Sequence, residues 1–464
     1  MKKTREVDFT EGPLLMKMIV YALPIIGVSI LQLLFTAADV AVLGMFTNDQ
    51  AVAAVGATAQ ITNLMIGFFV GLSISANVLV ARAVGAKDET RARRLVGTSV
   101  FVSVIFGTAV MIAGILLAED MLIWVNCAPN VLPYAKKYLI IYFIGMPIIM
   151  LYNFCASILR AVGDTLRPLI FLMVGGVLNI VLNIFFVALV GLDVEGVAIA
   201  TVSSQLVSAV GALVIMTRSN GYAKLSKEYF KIGKNELRDI FFIGLPIGLS
   251  KCTFSFSNVV IMSSVNALGD QVMAANSIVR EFDSMIFEVL NGFVLASLAI
   301  ISQNLGARKM DRIKRTIFTS LGLISGIGVF LGVAFYFVSP FLCGIMTNTP
   351  EVIEYCMVRV MLVGVLYVLC GIFNAILEAI RGLGYSNTAL FISIISNVVF
   401  RILWVIFVYP HLYVEGNIKN NFIYICMVWP VSWVLVIVLS VPTLIYLFAK
   451  TKRKIQSQPS MATL

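Results

Sequence analysis

Asp39 stands in the stretch LLFTAADVAVLG, Leu33 to Gly44, with apolar residues on both sides. A bare carboxylate in such a segment is costly, so Asp39 must be protonated, hold a metal cation or face water. Ionisable residues inside membrane segments are functional candidates by default. Apart from Lys17, at the very start of the first apolar segment, the first half of the chain has no Lys or Arg inside an apolar segment to neutralise it. Neutral partners are available. NIVLN places Asn179 and Asn183 four residues apart, on one helix face. GVAIATVSSQ supplies Thr201, with Ser204 and Gln205 beyond it. Amide and hydroxyl oxygens beside one carboxylate suit either a proton relay or a hard monovalent cation such as sodium. Each asparagine alone also fits ordinary helix–helix hydrogen bonding.

The second half differs. Lys251, Arg280, Arg359 and Arg401 share its apolar segments with Glu281, Asp283, Glu288 and Glu378. Glu281, Ser284 and Glu288 fall on one helix face, as do Asn374 and Glu378. This pattern predicts a paired polar network built from Lys251, Glu281, Asp283, Glu288, Asn374 and Glu378, serving structural balance or substrate and ion handling.

Other chemistry finds little support. His411 is the one histidine, and it falls in the last external loop. The sequence has no HExxH, no P-loop and no nucleophile constellation, which argues against an enzyme or an ATP-driven pump. Seven scattered cysteines without a CxxC pair read as small buried apolar side chains. No cofactor or resident metal is expected, apart from a transported H+ or Na+ at Asp39.

The elements that must hold these residues follow from composition. Of 464 residues 60% are hydrophobic and 12% charged, and the mean hydropathy is +0.97. That is too much apolar surface for a soluble core, so the chain reads as an all-α polytopic membrane protein. The polar opening MKKTREVDFTEG does not read as a signal peptide. Twelve apolar segments occur at about 14–46, 51–81, 95–118, 138–159, 168–190, 194–217, 239–268, 271–305, 316–338, 351–380, 387–409 and 421–449. Of 34 Lys and Arg, 27 lie on the side holding both termini, three (Lys136, Lys137 and Lys419) on the other, and four inside segments. The bias predicts cytoplasmic termini in the cell inner (plasma) membrane. It also explains the net charge of +10 without nucleic acid and predicts nonspecific contact with anionic lipid.

The halves match at an offset of 221 residues. Asp49-Gln50 recurs as Asp270-Gln271, Gly71 as Gly292, and Gly85-Ala86 as Gly306-Ala307. Pro129, Tyr134, Asn153, Arg160 and Gly163 recur as Pro350, Tyr355, Asn374, Arg381 and Gly384. Six segments separate equivalent positions, so the halves share one orientation, with a pseudo-twofold axis along the membrane normal. The predicted organisation is an arm at 1–13, a first lobe at 14–217, a cytoplasmic linker at 218–238, a second lobe at 239–449 and a basic tail at 450–464.

The repeated loops carry a resemblance. ILRAVGDTLRP (Ile158 to Pro168), its echo AIRGLGYSNTA (Ala379 to Ala389), VARAVGAKDETRARR (Val80 to Arg94) and SQNLGARKMDR (Ser302 to Arg312) resemble loops of the multidrug and toxic compound extrusion family. That family belongs to the multidrug/oligosaccharidyl-lipid/polysaccharide exporter superfamily. The loop residues Gly85, Arg160, Gly163, Asp164, Gly306, Arg381 and Gly384 read as structural. Arg160 suits a helix carboxyl end, Gly163 a left-handed cap, and Asp164 or Thr165 the start of the next helix. The resemblance implies that Asp39, Asn179, Asn183 and Thr201 form the coupling-ion site. The position of Asn183 is commonly Asp in the family, so this chain departs by keeping one carboxylate. The resemblance further implies a monomeric antiporter. It would exchange H+ or Na+ for amphiphilic, often cationic, drug-like compounds by alternating access, with the first helix bending near Pro24. The alternative is a flippase of lipid-linked oligosaccharide or of another lipid, from the same superfamily.

Overall fold

The computed structural model describes residues 6–230 and 232–457, and every regular element among them is a helix. Eleven helices are long and apolar enough to cross a bilayer, and a bent pair makes a twelfth crossing. We label them α1 (Leu14–Phe46), α2 (Asp49–Gly85), α3 (Glu89–Trp124), α4 (Leu132–Ile144 and Met146–Ala161), α5 (Leu166–Leu189) and α6 (Val194–Arg218). The second half continues with α7 (Lys234–Asn266), α8 (Asp270–Gly306), α9 (Met310–Met346), α10 (Pro350–Gly382), α11 (Ser386–Leu412) and α12 (Ile418–Ser457). Each predicted apolar segment lies on one of these twelve.

The helices outrun the apolar segments because their ends are capped by polar residues. Asp88 accepts the Arg91 amide at 2.9 Å and starts α3 at Glu89, six residues before the apolar run. Asn48 does the same for α2 through the Ala51 amide. The basic run KTKRK continues α12 as helix. Many of the largest apolar side chains face outward, among them Leu116, Leu189 and Phe337, each 75% exposed, as lipid-facing surfaces require.

The described residues form two compact units. One comprises the described part of Met1–Phe9 with Leu23–Gly248, and the other Thr10–Ala22 with Leu249–Leu464 as far as it is described. Two of the three breaks fall within two residues of a proline, Pro24 in α1 and Pro246 in α7. Within the first unit, α2 meets α7 across glycines. A Cβ on Gly71 would lie 2.6 Å from the Gly248 Cα.

The 221-residue offset is visible in backbone detail. α8 repeats α2 and α9 repeats the start of α3 at that offset. Asn153 and Asn374 each donate to the carbonyl four residues back at 2.8 Å. Gly163 and Gly384 both take positive φ, 90° and 102°. After Gly85 and Gly306 the left-handed residue is neither glycine but a basic side chain, Lys87 (φ 57°) and Arg308 (φ 58°). Asp164 accepts the Arg167 amide at 3.2 Å and pairs with its guanidinium at 3.1 Å, so it, not Thr165, caps α5. Gly163 also admits the arm: the Val7 amide donates to Val162 O at 3.0 Å, and a Cβ on Gly163 would meet the Val7 Cβ at 2.7 Å. Strict repetition ends at α4, which bends by 49° around Gly145 and Pro147. At the matching place, Leu366 to Val368, α10 has a turn at 365–366 that follows a π-helical turn, Val360–Gly364, and stays a single long helix.

Candidate functional site

Asp39 on α1 meets α5 and α6. Asn183 Nδ2 donates to Asp39 Oδ1, and Thr201 Oγ1 donates to Oδ2 at 3.4 Å. Asn183 also donates to Asn179 Oδ1 at 3.3 Å, and Asn179 Nδ2 donates to Thr201 Oγ1 at 3.4 Å. All four residues of the predicted ion site are thus brought together. Asn179 and Asn183 are buried, whereas Asp39 and Thr201 are half-buried. Asn183 Oδ1 is buried and has no hydrogen-bond partner among the described residues.

No Lys, Arg or His among the described residues pairs with Asp39, although the first-half helices do contain cations. α1 includes Lys17, which donates to Glu11 O at 2.8 Å, and α2 ends with Arg82. α4 ends with Arg160, which donates to Ser157 Oγ at 3.2 Å. Helix ends reach past the apolar runs, so these charges sit at the ends and not beside the acid.

Two adjacent glycines that the sequence reading passed over set the geometry. A Cβ on Gly176 would fall 1.7 Å from the Phe35 ring, one turn before Asp39, so Gly176 lets α1 lie close to α5. A Cβ on Gly175 would meet Ser208 Oγ at 2.3 Å and Ser204 O at 2.9 Å, so Gly175 does the same for α6. Ser208 fixes that contact by donating to Phe171 O at 3.0 Å. Immediately after Asn183, α5 widens into a π-helical turn, Ile184–Leu189. Tyr138 and Tyr142 of α4 are buried and stack at 6.1 Å. The available signals were the GG dipeptide one turn before NIVLN and the four-residue tyrosine spacing.

The expected second-half network does not form as one unit. Asp283 pairs with Arg359 at 2.9 Å, both buried, and Arg359 also donates to Asn276 and lies 4.8 Å over the Trp429 ring. Glu378 pairs with Arg381, the arginine of the loop motif. The same two positions in the first half hold Ser157 and Arg160, so Glu378 belongs to the loop. Asn374 donates to Cys370 O at 2.8 Å, and Glu288 accepts from Asn291 at 3.3 Å. Glu281 and Arg280 are exposed, and Lys251 forms no ion pair among the described residues. Successive helix residues turn by about 100°, so Asp283 faces inward while Glu281, two residues earlier, faces out. Arg401 is fully buried and pairs with no carboxylate among the described residues. It donates to Ser432 Oγ (3.0 Å), Ser257 Oγ (2.9 Å) and Asn258 Oδ1 (3.1 Å), with Phe254 5.4 Å away. His411 is exposed on α11.

The MatE family model matches residues 24–185 and again 246–406, one match in each half. The chain belongs to the MatE family. It is 26% identical over 386 residues to the probable multidrug resistance protein YoeA of Bacillus subtilis, covering 82% of this chain and 83% of that protein. To the probable multidrug resistance protein NorM of Thermotoga maritima it is 26% identical over 388 residues, 82% of each. Its fold is that of a multidrug resistance MATE transporter of the MOP superfamily in an outward-facing conformation (TM-score 0.87, 20% identity, 98% of this chain and 100% of that one). As a MatE protein the chain is a multi-pass secondary active efflux transporter of amphiphilic small molecules that works by alternating access; it is not an enzyme. The family draws on H+ or Na+ gradients.

Proposed function

We propose that Asp39, Asn179, Asn183 and Thr201 are the coupling-ion site of this MatE transporter, and that H+ or Na+ entering there drives out amphiphilic, cationic compounds. The observation that carries the reading is a half-buried carboxylate whose partners are all neutral. Ionised, Asp39 only accepts, and Asn183 and Thr201 donate to it. A proton turns one of its oxygens into a donor, and the buried Asn183 Oδ1 is an acceptor within the same cluster. A sodium ion asks for oxygens instead, and rotation of either amide presents one beside the carboxylate and Thr201 Oγ1. Either ion removes the cost of the bare charge, which frees α1 to repack against α5. Pro24 lets α1 bend, and the π-helical turn after Asn183 lets α5 change register.

The lobes that alternate are 14–217 and 239–449, joined by the 218–238 linker. The protein works as a monomer in the plasma membrane with both termini cytoplasmic. The three lysines of the outer side each have an acid there, Lys136 with Glu119, Lys137 with Glu195 and Lys419 with Glu354, which leaves the positive bias to the opposite face.

The test is dye and drug efflux from proteoliposomes under imposed proton or sodium gradients, wild type against Asp39→Asn. The variant should bind substrate yet lose gradient-driven transport. Normal pumping by the variant would remove Asp39 from the coupling step. Transport of a fluorescent lipid-linked sugar with no effect on dyes would favour a flippase.

A further inference from the structure

A second feature of the chain lies away from Asp39. A cavity of about 450 Å³ in the second unit is lined by Arg308, Lys309, Arg312, Arg315 and Lys452, with Asp311 as its one acid. It sits where α9 begins and α12 ends. Lys309 reaches Thr10 O at 3.0 Å, and Arg312 reaches Glu11 O and Gly12 O at 2.7 and 2.9 Å. Glu11 and Asp311 approach Lys309 and Lys452 only at 3.4 and 4.0 Å. Among the described residues the side chains of Arg308 and Arg315 engage no acid. Arg308 holds its place at positive φ, where a side chain with a Cβ is disfavoured.

The first half shows what neutralisation of the same place looks like. At the 221-residue offset, Asp88 stands for Lys309 and Glu89 for Met310. The corresponding cavity beside Arg94 is lined by Glu228 and Glu236 from the following chain. The second half has lost both acids, one to Lys309 and one to Met310, has gained Asp311 in place of Thr90, and among the described residues has no acid from a following segment lining the cavity. Below the cations the same helix faces turn apolar. Phe318, three residues after Arg315, and Ile445, seven before Lys452, are each 65% exposed. A cationic mouth continuing into an exposed apolar stripe matches a molecule with an anionic head and hydrocarbon tails.

We propose that this cavity is a specific binding site for the phosphate headgroup of an anionic phospholipid, whose acyl chains lie along Phe318 and Ile445. The cations pair with the phosphate and the first turn of α9 adds its amide dipoles.

The test titrates the purified full chain in detergent with short-chain phosphatidylglycerol, phosphatidylcholine and inorganic phosphate. One variant combines Arg308→Gln, Arg315→Gln and Lys452→Gln. A second combines Lys314→Gln, Arg453→Gln and Lys454→Gln, removing equal charge outside the cavity. Wild type should prefer phosphatidylglycerol to phosphatidylcholine and bind it undisturbed by phosphate. At about fivefold per cation, the cavity variant should lose roughly 100-fold in affinity and the outer variant less than about threefold. Should the triple variant fail to fold, Arg315→Gln alone must cost about fivefold. Equal losses in both triples, no preference over phosphatidylcholine, or displacement by free phosphate overturns the proposal.

Discussion

Gly175→Ala is the sharpest probe of how the proposed ion site is held. The new methyl would lie 2.9 Å from Ser204 O, a backbone atom that no rotamer change removes. Ordinary contact begins at 3.4 Å, so α5 and α6 must part by about 0.5 Å. Thr201 is one turn from Ser204, and its bonds to Asp39 and Asn179 are both already 3.4 Å long. A further 0.5 Å or so takes both out of hydrogen-bond range. One lost bond to a carboxylate is worth about 1.5 kcal/mol, roughly tenfold in an ion's affinity. The sign depends on the ion. A carboxylate that has lost a donor holds a proton more tightly, so proton-driven exchange reaches half-maximum about one pH unit higher. Sodium loses an oxygen ligand, so its half-saturating concentration rises about tenfold. Gly176→Ala makes a nominally worse contact, 1.7 Å, but with the tip of the Phe35 ring, which can swing aside. Counter-transport in proteoliposomes at graded pH and sodium should therefore show a shift for Gly175→Ala and little for Gly176→Ala. The reverse ranking, or an unshifted Gly175→Ala, refutes the reasoning.

Other consequences are as concrete. Arg359→Leu strands Asp283 in the interior and should destabilise by about 3–5 kcal/mol, whereas Arg359→Met with Asp283→Leu should recover most of it, read as thermal unfolding in detergent. Gly163→Ala forces a residue with a Cβ to φ 90° against Val7, and should release the amino-terminal arm to protease at a cost of about 1–2 kcal/mol. Glu6 accepts the Tyr222 amide at 2.8 Å, and burial, outweighing the Tyr222 and Ala223 amides, raises its carboxyl above the ordinary 4.5. Its protonated form is therefore favoured in the fold. The contribution is full below the ordinary value and lost as pH rises through the raised one, so arm cleavage should increase with pH there and flatten in Glu6→Gln.

The sequence exposed the parts of this molecule that obey a local rule. Twelve apolar runs became twelve crossings, and the offset of 221 reappears in backbone angles at Gly163 and Gly384. Asp39 was legible because a charge in an apolar run has few explanations. What stayed hidden depends on which helix faces meet. Gly175 and Gly176 look like any flexible pair until Phe35 and Ser204 are seen against them. The second-half acids and bases balance as a list, but Glu378 pairs with Arg381 and Arg401 with hydroxyls and an amide. Counting charges along a chain does not say which ones face each other.

The repeat also bears on stoichiometry. The offset carries Asp39 to Val260, Asn179 to Phe400, Asn183 to Trp404 and Thr201 to Phe422, so the second half has an apolar residue at every position of the proposed ion site. Asp283 of the second half is already neutralised by Arg359, and its first-half counterpart is Thr62. With Asp39 as the one acid proposed to couple, one coupling cation moves per cycle. Exchange for a substrate of charge +1 is then electroneutral. A second coupling ion would make each cycle move one net charge, adding about 2.3 kcal/mol per 100 mV, roughly 50-fold in accumulation. With a monovalent cationic dye in proteoliposomes, a proton or sodium gradient should drive transport, whereas a potassium diffusion potential set by valinomycin at equal pH and sodium should not. Accumulation that follows the potential would require a second ion site, and the half-buried Glu288, held by Asn291 alone, would be the first acid to neutralise in search of it.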